Sequence, residues 1–169
     1  ARADVMDLSA RYTLHTRLSY ATARLVVREV VDVSSRSASP IGVLDLSVLA
    51  RAYDELRVRS VEVDGRRVRP SYPQRTSMRV PLEPPLEPAG SLRLIVRFTA
   101  QAGPDVHDSL HARLSKAEGM LRVADWFPLL SDGHGLRNPG DPQVSAAAES
   151  ITLDLRADPD LVVAAPGVI

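Results

Sequence analysis

His107 and His111 stand four residues apart, a spacing that on an α-helix sets two imidazoles on one face and supplies half of a zinc site. The other half is missing. HDSLH has no glutamate after its first histidine, so the H-E-x-x-H general base is absent, and no clear third ligand accompanies the pair. Two solvated histidines on a polar face are the plainer reading. His134 lies between Gly133 and Gly135, where only a cleft would tune it for acid–base work; the plainer reading is a solvent-facing loop histidine. His15 falls on the polar side of an alternating segment and is expected to be exposed. Cysteine is absent, which removes thiolate metal sites, disulfides and cysteine nucleophiles together.

Other chemistries leave equally little trace. There is no G-x-S-x-G elbow, P-loop or dinucleotide fingerprint, and GHGLRNPG neither follows the right strand nor opens a helix. Asp105 with Asp108, Glu83 with Glu87, and Asp158 with Asp160 are carboxylate pairs by position. Paired acid/base work needs a pocket around such a pair, and carboxylates on Pro-flanked connections mostly solubilise. No D-x-[DN]-x-[DN]-G calcium loop occurs. The RVRPSYPQR stretch, residues 67–75, is the best candidate for a polyanion patch, with Tyr72 available to stack; its rival reading is a solvated strand face. No catalytic residue and no metal ligand is assigned in this chain.

Composition narrows the partners. Lys and Arg total 21, as do Asp and Glu, for a formal net charge of +0, so no long-range field gathers nucleic acid or an anionic membrane surface. No apolar run approaches the roughly 18 residues that a membrane-spanning helix needs. No nucleic acid and no membrane insertion are therefore expected. The chain opens on Ala1 with neither an initiator Met nor a basic, apolar leader, which suits a mature form or an excised piece and leaves the compartment open. At 169 residues it can bury one core without staples.

The elements that must position these residues are strands. Residues 11–20 alternate, with Tyr12, Leu14, Thr16, Leu18 and Tyr20 on one face and Arg11, Thr13, His15 and Arg17 on the other. Residues 21–35 put Leu25, Val27, Val31 and Val33 in phase with Val26 and Val30 opposite, a strand covered partly on both faces. Residues 43–49 give a third, with Leu44, Leu46 and Val48 on one face. Asp64-Gly65 between alternating segments predicts a type I′ hairpin, pairing Val61 with Val68 and Val63 with Arg66. The apolar phase slips between Val58 and Val61, which a bulge near Arg59 and Ser60 would absorb.

Residues 77–82 and 91–99 read as further strands, the latter with Leu92, Leu94, Val96 and Phe98 inward; the Pro-dense residues between them read as a connection. Val106, Leu110 and Leu114 at four-residue steps make residues 106–116 the single helical candidate. Residues 118–127 suit another strand, and 150–157 alternate with Ile151, Leu153 and Leu155 inward. Trp126 and Phe127 are expected to plug the core at a strand end, with Pro128 ending it. The expected class is all-β, an antiparallel saddle-like or β-sandwich domain with at most one short helix.

The order of these pieces carries more than any one of them. RYTLHTRLSY, ATARLVVREVVDVSS, VEVDGRRVRP, VPLEPPLEPAG and SLRLIVRFT are followed by Trp126-Phe127-Pro128, Gly140-Asp141-Pro142, SITLDLRA and DLVVAAPG. Over residues 12–167 this resembles the N-terminal β domain of aminopeptidase N-like (gluzincin) zinc metallopeptidases, bacterial branch. The resemblance implies that residues 1–169 are one non-catalytic N-terminal domain, cut before its remaining strands. It implies that the chain's partner is the catalytic domain of the same polypeptide. The zinc is expected there, with no cofactor in this chain. In the family a residue near the WFP stretch helps hold the substrate's free amino group, and Asp125 is the nearest polar match. Two departures stand: PGDPQVSAAAES lacks the aromatic residue that often begins the next strand, and residues 43–49 match loosely. A stand-alone β-sandwich binding or adhesion module is the competing reading. With 4% aromatic residues the chain has little to stack on a sugar ring.

Overall fold

A computed structural model of the chain describes residues 7–53, 55–102, 114–117, 119–132 and 147–165. Twelve strands form among the described residues: β1 (Leu8–Ser19), β2 (Arg24–Ser35), β3 (Ile41–Ser47), β4 (Leu56–Val63), β5 (Arg66–Val68), β6 (Ser71–Gln74), β7 (Ser77–Leu86), β8 (Ser91–Gln101), β9 (Leu114–Ala117), β10 (Met120–Val123), β11 (Leu129–Ser131) and β12 (Ser150–Arg156). One sheet has six strands in the order β12-β1-β2-β8-β4-β5, and a second has four in the order β11-β3-β7-β6. β9 and β10 form a separate two-stranded ribbon. Among the described strands, the β1–β12 pair alone is parallel. The inward faces of both sheets join in one apolar cluster, so the fold is all-β with a core shared by the two sheets.

Side-chain alternation builds that core as the sequence reads. Tyr12, Leu14 and Thr16 of β1, Leu25, Val27, Val31 and Val33 of β2, and Leu94, Val96 and Phe98 of β8 are all buried. On the opposite face of β2, Val30 is buried and Val26 exposed. The hairpin forms at Asp64 and Gly65, with φ of 47° and 79°, and pairs Val61 with Val68 and Val63 with Arg66. The phase slip in β4 is a register shift between Val58 and Ser60 against β8. The bulge lets Leu56 and Val61 both reach the core although an odd number of residues separates their phases.

Four expectations are corrected. Leu114–Ala117 is a strand paired with β10, so the end of the 106–116 helix is extended; residues 106–113 lie outside the described residues. A short 3-10 turn instead spans Leu49–Tyr53. The Pro-dense connection lies partly within β7, which continues through Pro81, Pro84 and Pro85 to Leu86. Its partner β3 shifts register between Ile41 and Val43, and β6 pairs with β7 only between Ser77 and Arg79. The prolines thus stand on a broken ladder and an open edge, where a missing N–H costs little. Pro128 immediately precedes β11 and begins a strand rather than ending one. Finally, Ile151 and Leu153 are half-exposed. They share the inward face, being paired with Tyr12 and Leu14, but β12 is the edge strand of the six-stranded sheet as described, where a side chain has a strand neighbour on one side alone.

Candidate functional site

Asp125 adopts a φ of 45°, a left-handed conformation that Asp tolerates better than most residues. This turn leaves Asp125 exposed and swings the next residue inward. Trp126 is buried. Its ring lies 6.2 Å from Phe98, tilted by 52°, and 5.4 Å from Phe127 at 72°. Phe127 in turn meets Tyr12 at 6.3 Å and 63°. These tilted and edge-on geometries suit ring quadrupoles, and the row Phe98–Trp126–Phe127–Tyr12 runs from β8 to β1 across the inner face.

Tyr12 fixes the corner from below. Its hydroxyl donates to the Ala147 carbonyl at 2.8 Å and accepts from the Leu130 N–H at 3.1 Å. The Ala147 N–H donates to the Leu130 carbonyl at 3.1 Å, and the Glu149 N–H to Ala10 at 2.7 Å. One phenol therefore ties β1 to β11 and to the segment entering β12. Burial pushes the Tyr12 pKa well up; the Leu130 N–H works against that shift and the nearby Glu29 adds to it.

Glu29 is the unusual member of the cluster. It stands on β2 opposite Leu14 of β1 and Val96 of β8, fully buried, and neither carboxyl oxygen has a hydrogen-bond partner among the described residues. The Thr16 hydroxyl, one pairing step away on β1, is also buried and unpartnered. Burial raises the Glu29 pKa well above the ordinary carboxylate range, because an isolated charge in such surroundings is far more costly than a neutral acid.

The carboxylates and histidines named from sequence disperse. His15 is exposed and its Nδ1 meets Asp154 Oδ2 at 3.1 Å, a surface contact between β1 and β12. Asp158 accepts from the Tyr20 N–H at 3.1 Å, and Glu83 and Glu87 are exposed. Glu149 collects Ser9, Arg11 and Arg36 at the surface, and the Ser9 hydroxyl is the main cause of its lowered pKa. No group of three metal-capable side chains occurs among the described residues. Asp105, His107, Asp108, His111, His134, Gly140, Asp141 and Pro142 lie outside the described residues. Of the WFP residues, Trp126 is buried and Phe127 packs against the core cluster. Glu29 was missed, although its signal was present: it sits in the same phase as Leu25, Val27, Val31 and Val33.

Two largely antiparallel sheets closed by an aromatic corner define the class. Among solved structures, a mutant of a two-domain M1 zinc metallopeptidase bound to L-arginine is similar at a TM-score of 0.54 and 18% identity, covering 89% of this chain and 32% of that one. A mutant of the M1 zinc metallopeptidase from Deinococcus radiodurans, bound to a Tyr-Ser-Ala substrate, gives 0.52 and 21%, covering 68% of this chain and 25% of that one. Native yeast LTA4 hydrolase gives 0.50 and 11%, covering 92% and 25%. The chain thus spans about a third or less of each of these proteins. At these identities the likeness is one of fold. No family model and no curated protein matches the sequence.

Proposed function

We propose that this chain is the non-catalytic N-terminal β domain of a zinc aminopeptidase-like metallopeptidase. In this reading it packs against a catalytic domain of the same polypeptide and helps to shape that domain's cleft. The observation that carries the reading is the coverage: the fold match takes in 89% of this chain but 32% of a two-domain metallopeptidase. The ordered sequence motifs support the same family independently. The zinc belongs to the catalytic domain, and this chain's residues take no part in holding it. Asp125, exposed on its turn beside the aromatic corner, is the residue assigned to the substrate's free amine. Nucleic acid and membrane insertion play no part in this role; no described helix is long and apolar enough to cross a membrane.

Reading the parent gene tests the proposal directly: an H-E-x-x-H followed downstream by a glutamate is the expected result, and a parent without one sinks it. In a parent that has it, Asp125→Ala should raise KM for amino-acid arylamides more than it lowers kcat. The 169-residue chain alone should neither cleave arylamides nor hold equimolar zinc. Turnover abolished by changing His107 or His111 would overturn the assignment.

A further inference from the structure

RVRPSYPQR does not form one patch: Arg67 lies opposite Glu62 in the six-stranded sheet, whereas Tyr72 belongs to the four-stranded sheet, its ring 4.1 Å from the Arg51 guanidinium. Strand register gathers cations elsewhere, on the outer face of the six-stranded sheet. Toward the Asp64 turn, that face balances its charges: Arg93 meets Asp32, Arg97 meets Glu62 and Arg11 meets Glu149. Toward the other end one cross-strand row reads Arg156, Arg17, Val26, Thr99, Arg57 over β12, β1, β2, β8 and β4. Arg24 and Arg28 stand two residues either side of Val26 on β2, and so on the same face. The acid at this end, Asp154, meets His15 at 3.1 Å, and Asp158 at the rim accepts from the Tyr20 N–H.

Five guanidinium groups thus surround Val26 over about 19 Å across the strands and about 13 Å along β2. Arg17, Arg24, Arg57 and Arg156 are exposed and Arg28 half-buried, while Val26 itself is 49% exposed, so this end of the face is open to a partner. Two register pairs, Arg17 with Arg156 and Arg28 with Arg97, set like charges directly opposite, an arrangement that costs stability. The zero net charge of the chain hides this segregation, because a surface within a Debye length of about 8 Å responds to the local charge.

We propose that this end of the outer face docks on an anionic lipid surface, lying against the headgroups without inserting. The cations spread in two dimensions, so a linear polyanion following the row would leave Arg24 and Arg28 unused. No Phe, Tyr or Trp stands on the outer face among the described residues to stack a nucleic-acid base. Val26 is its one exposed large apolar side chain among them, short of the apolar and aromatic centre on which a protein interface depends. Lipid headgroups require charge rather than shape, and clusters of about four to eight Lys or Arg residues suffice.

The test is co-sedimentation of the 169-residue chain with vesicles of phosphatidylcholine containing phosphatidylserine, beside vesicles of phosphatidylcholine alone. The chain should bind the anionic vesicles, leave them in about 1 M salt, where the Debye length falls to about 3 Å, and ignore the neutral ones. R17Q/R24Q, at two exposed positions of the patch, should weaken binding roughly thirtyfold with far-UV circular dichroism unchanged. R66Q/R122Q makes the same change in charge at two exposed positions away from the patch and should leave binding as it is. The proposal is overturned if anionic vesicles are not bound, if neutral ones are bound equally well, or if R66Q/R122Q weakens binding as much as R17Q/R24Q. Tighter binding to poly-L-glutamate than to the anionic vesicles would overturn it in favour of an acidic polypeptide.

Discussion

Glu29→Gln should change how stability depends on pH while leaving the fold in place. Below the pKa of an unfolded glutamate, about 4.3, the acid is protonated in both states and its titration costs nothing. Above it the unfolded chain releases the proton while the buried carboxyl, its pKa raised by burial, retains it. The native state therefore binds more protons, and stability falls by about 1.4 kcal/mol for each pH unit over which the buried acid stays protonated. The contribution is fully present in acid and is lost as pH rises through the raised value. Glutamine has the same shape and no proton to lose, so its variant lacks this slope.

The groups facing Glu29 do not blur the result. From β1 they are Tyr12, Leu14 and Thr16, and from β8 Leu94, Val96 and Phe98. Tyr12 is the one titratable member, and its phenol is itself pushed up, so it stays neutral. Glu149 acts with the opposite sign: its pKa is lowered, so its contribution is lost as pH falls, equally in both proteins. Urea unfolding across roughly pH 4.5 to 8, read as the difference between wild type and Glu29→Gln, isolates the buried acid. The difference should widen steadily above about pH 4.5. Parallel curves would refute the reasoning. Glu29→Leu, which removes both unpartnered oxygens at similar volume, should stabilise the chain at neutral pH by about 1–3 kcal/mol.

Two further outcomes follow from the corner. Tyr12→Phe leaves the Leu130 N–H and the Ala147 carbonyl without their shared hydroxyl and should cost about 1–3 kcal/mol by urea midpoint; a neutral result would mean that water replaces the hydroxyl. Trp126→Ala, at the only tryptophan and a buried one, should cost about 3–5 kcal/mol. In the unsubstituted chain, red-shifted tryptophan emission on unfolding should coincide with loss of far-UV circular dichroism, and an earlier emission change would place Trp126 outside the cooperative core.

Much of the sheet was legible because alternation has a period of two and few apolar positions conflict. The Asp64-Gly65 turn was readable from its demand for positive φ at both residues, and the β4 bulge from a phase slip that no straight strand allows. Burial along β12 was not, since alternation assigns a face but not whether another layer reaches that face. The prolines of β7 misled for a related reason: they exclude a regular ladder, not a strand whose register is broken and whose edge is open. Of the candidate site, Trp126, Phe127 and Pro128 were recognisable as a group, but Tyr12 was only another inward residue. Its hydroxyl partners, Leu130 and Ala147, lie more than a hundred positions away.

Glu29 and the aromatic corner form one physical unit. Leu14 and Val96 stand opposite the acid; Tyr12 lies one step along β1 and Phe98 one step along β8, on the other diagonal. The two ends of the row Tyr12–Phe127–Trp126–Phe98 therefore straddle the carboxyl on the inner face. A buried acid with no partner contradicts the consistency seen in the rest of the core, and its pKa stays raised only while water is kept out. The WFP corner closes that face, so loosening it should release the acid as well as remove packing. Trp126→Ala should then flatten the pH slope that Glu29 produces, because a hydrated carboxylate ionises near its ordinary value. The loss of apolar contact alone would lower stability equally at every pH. The shape of the curve, rather than its height, thus distinguishes a tryptophan that merely fills space from one that also keeps Glu29 dry.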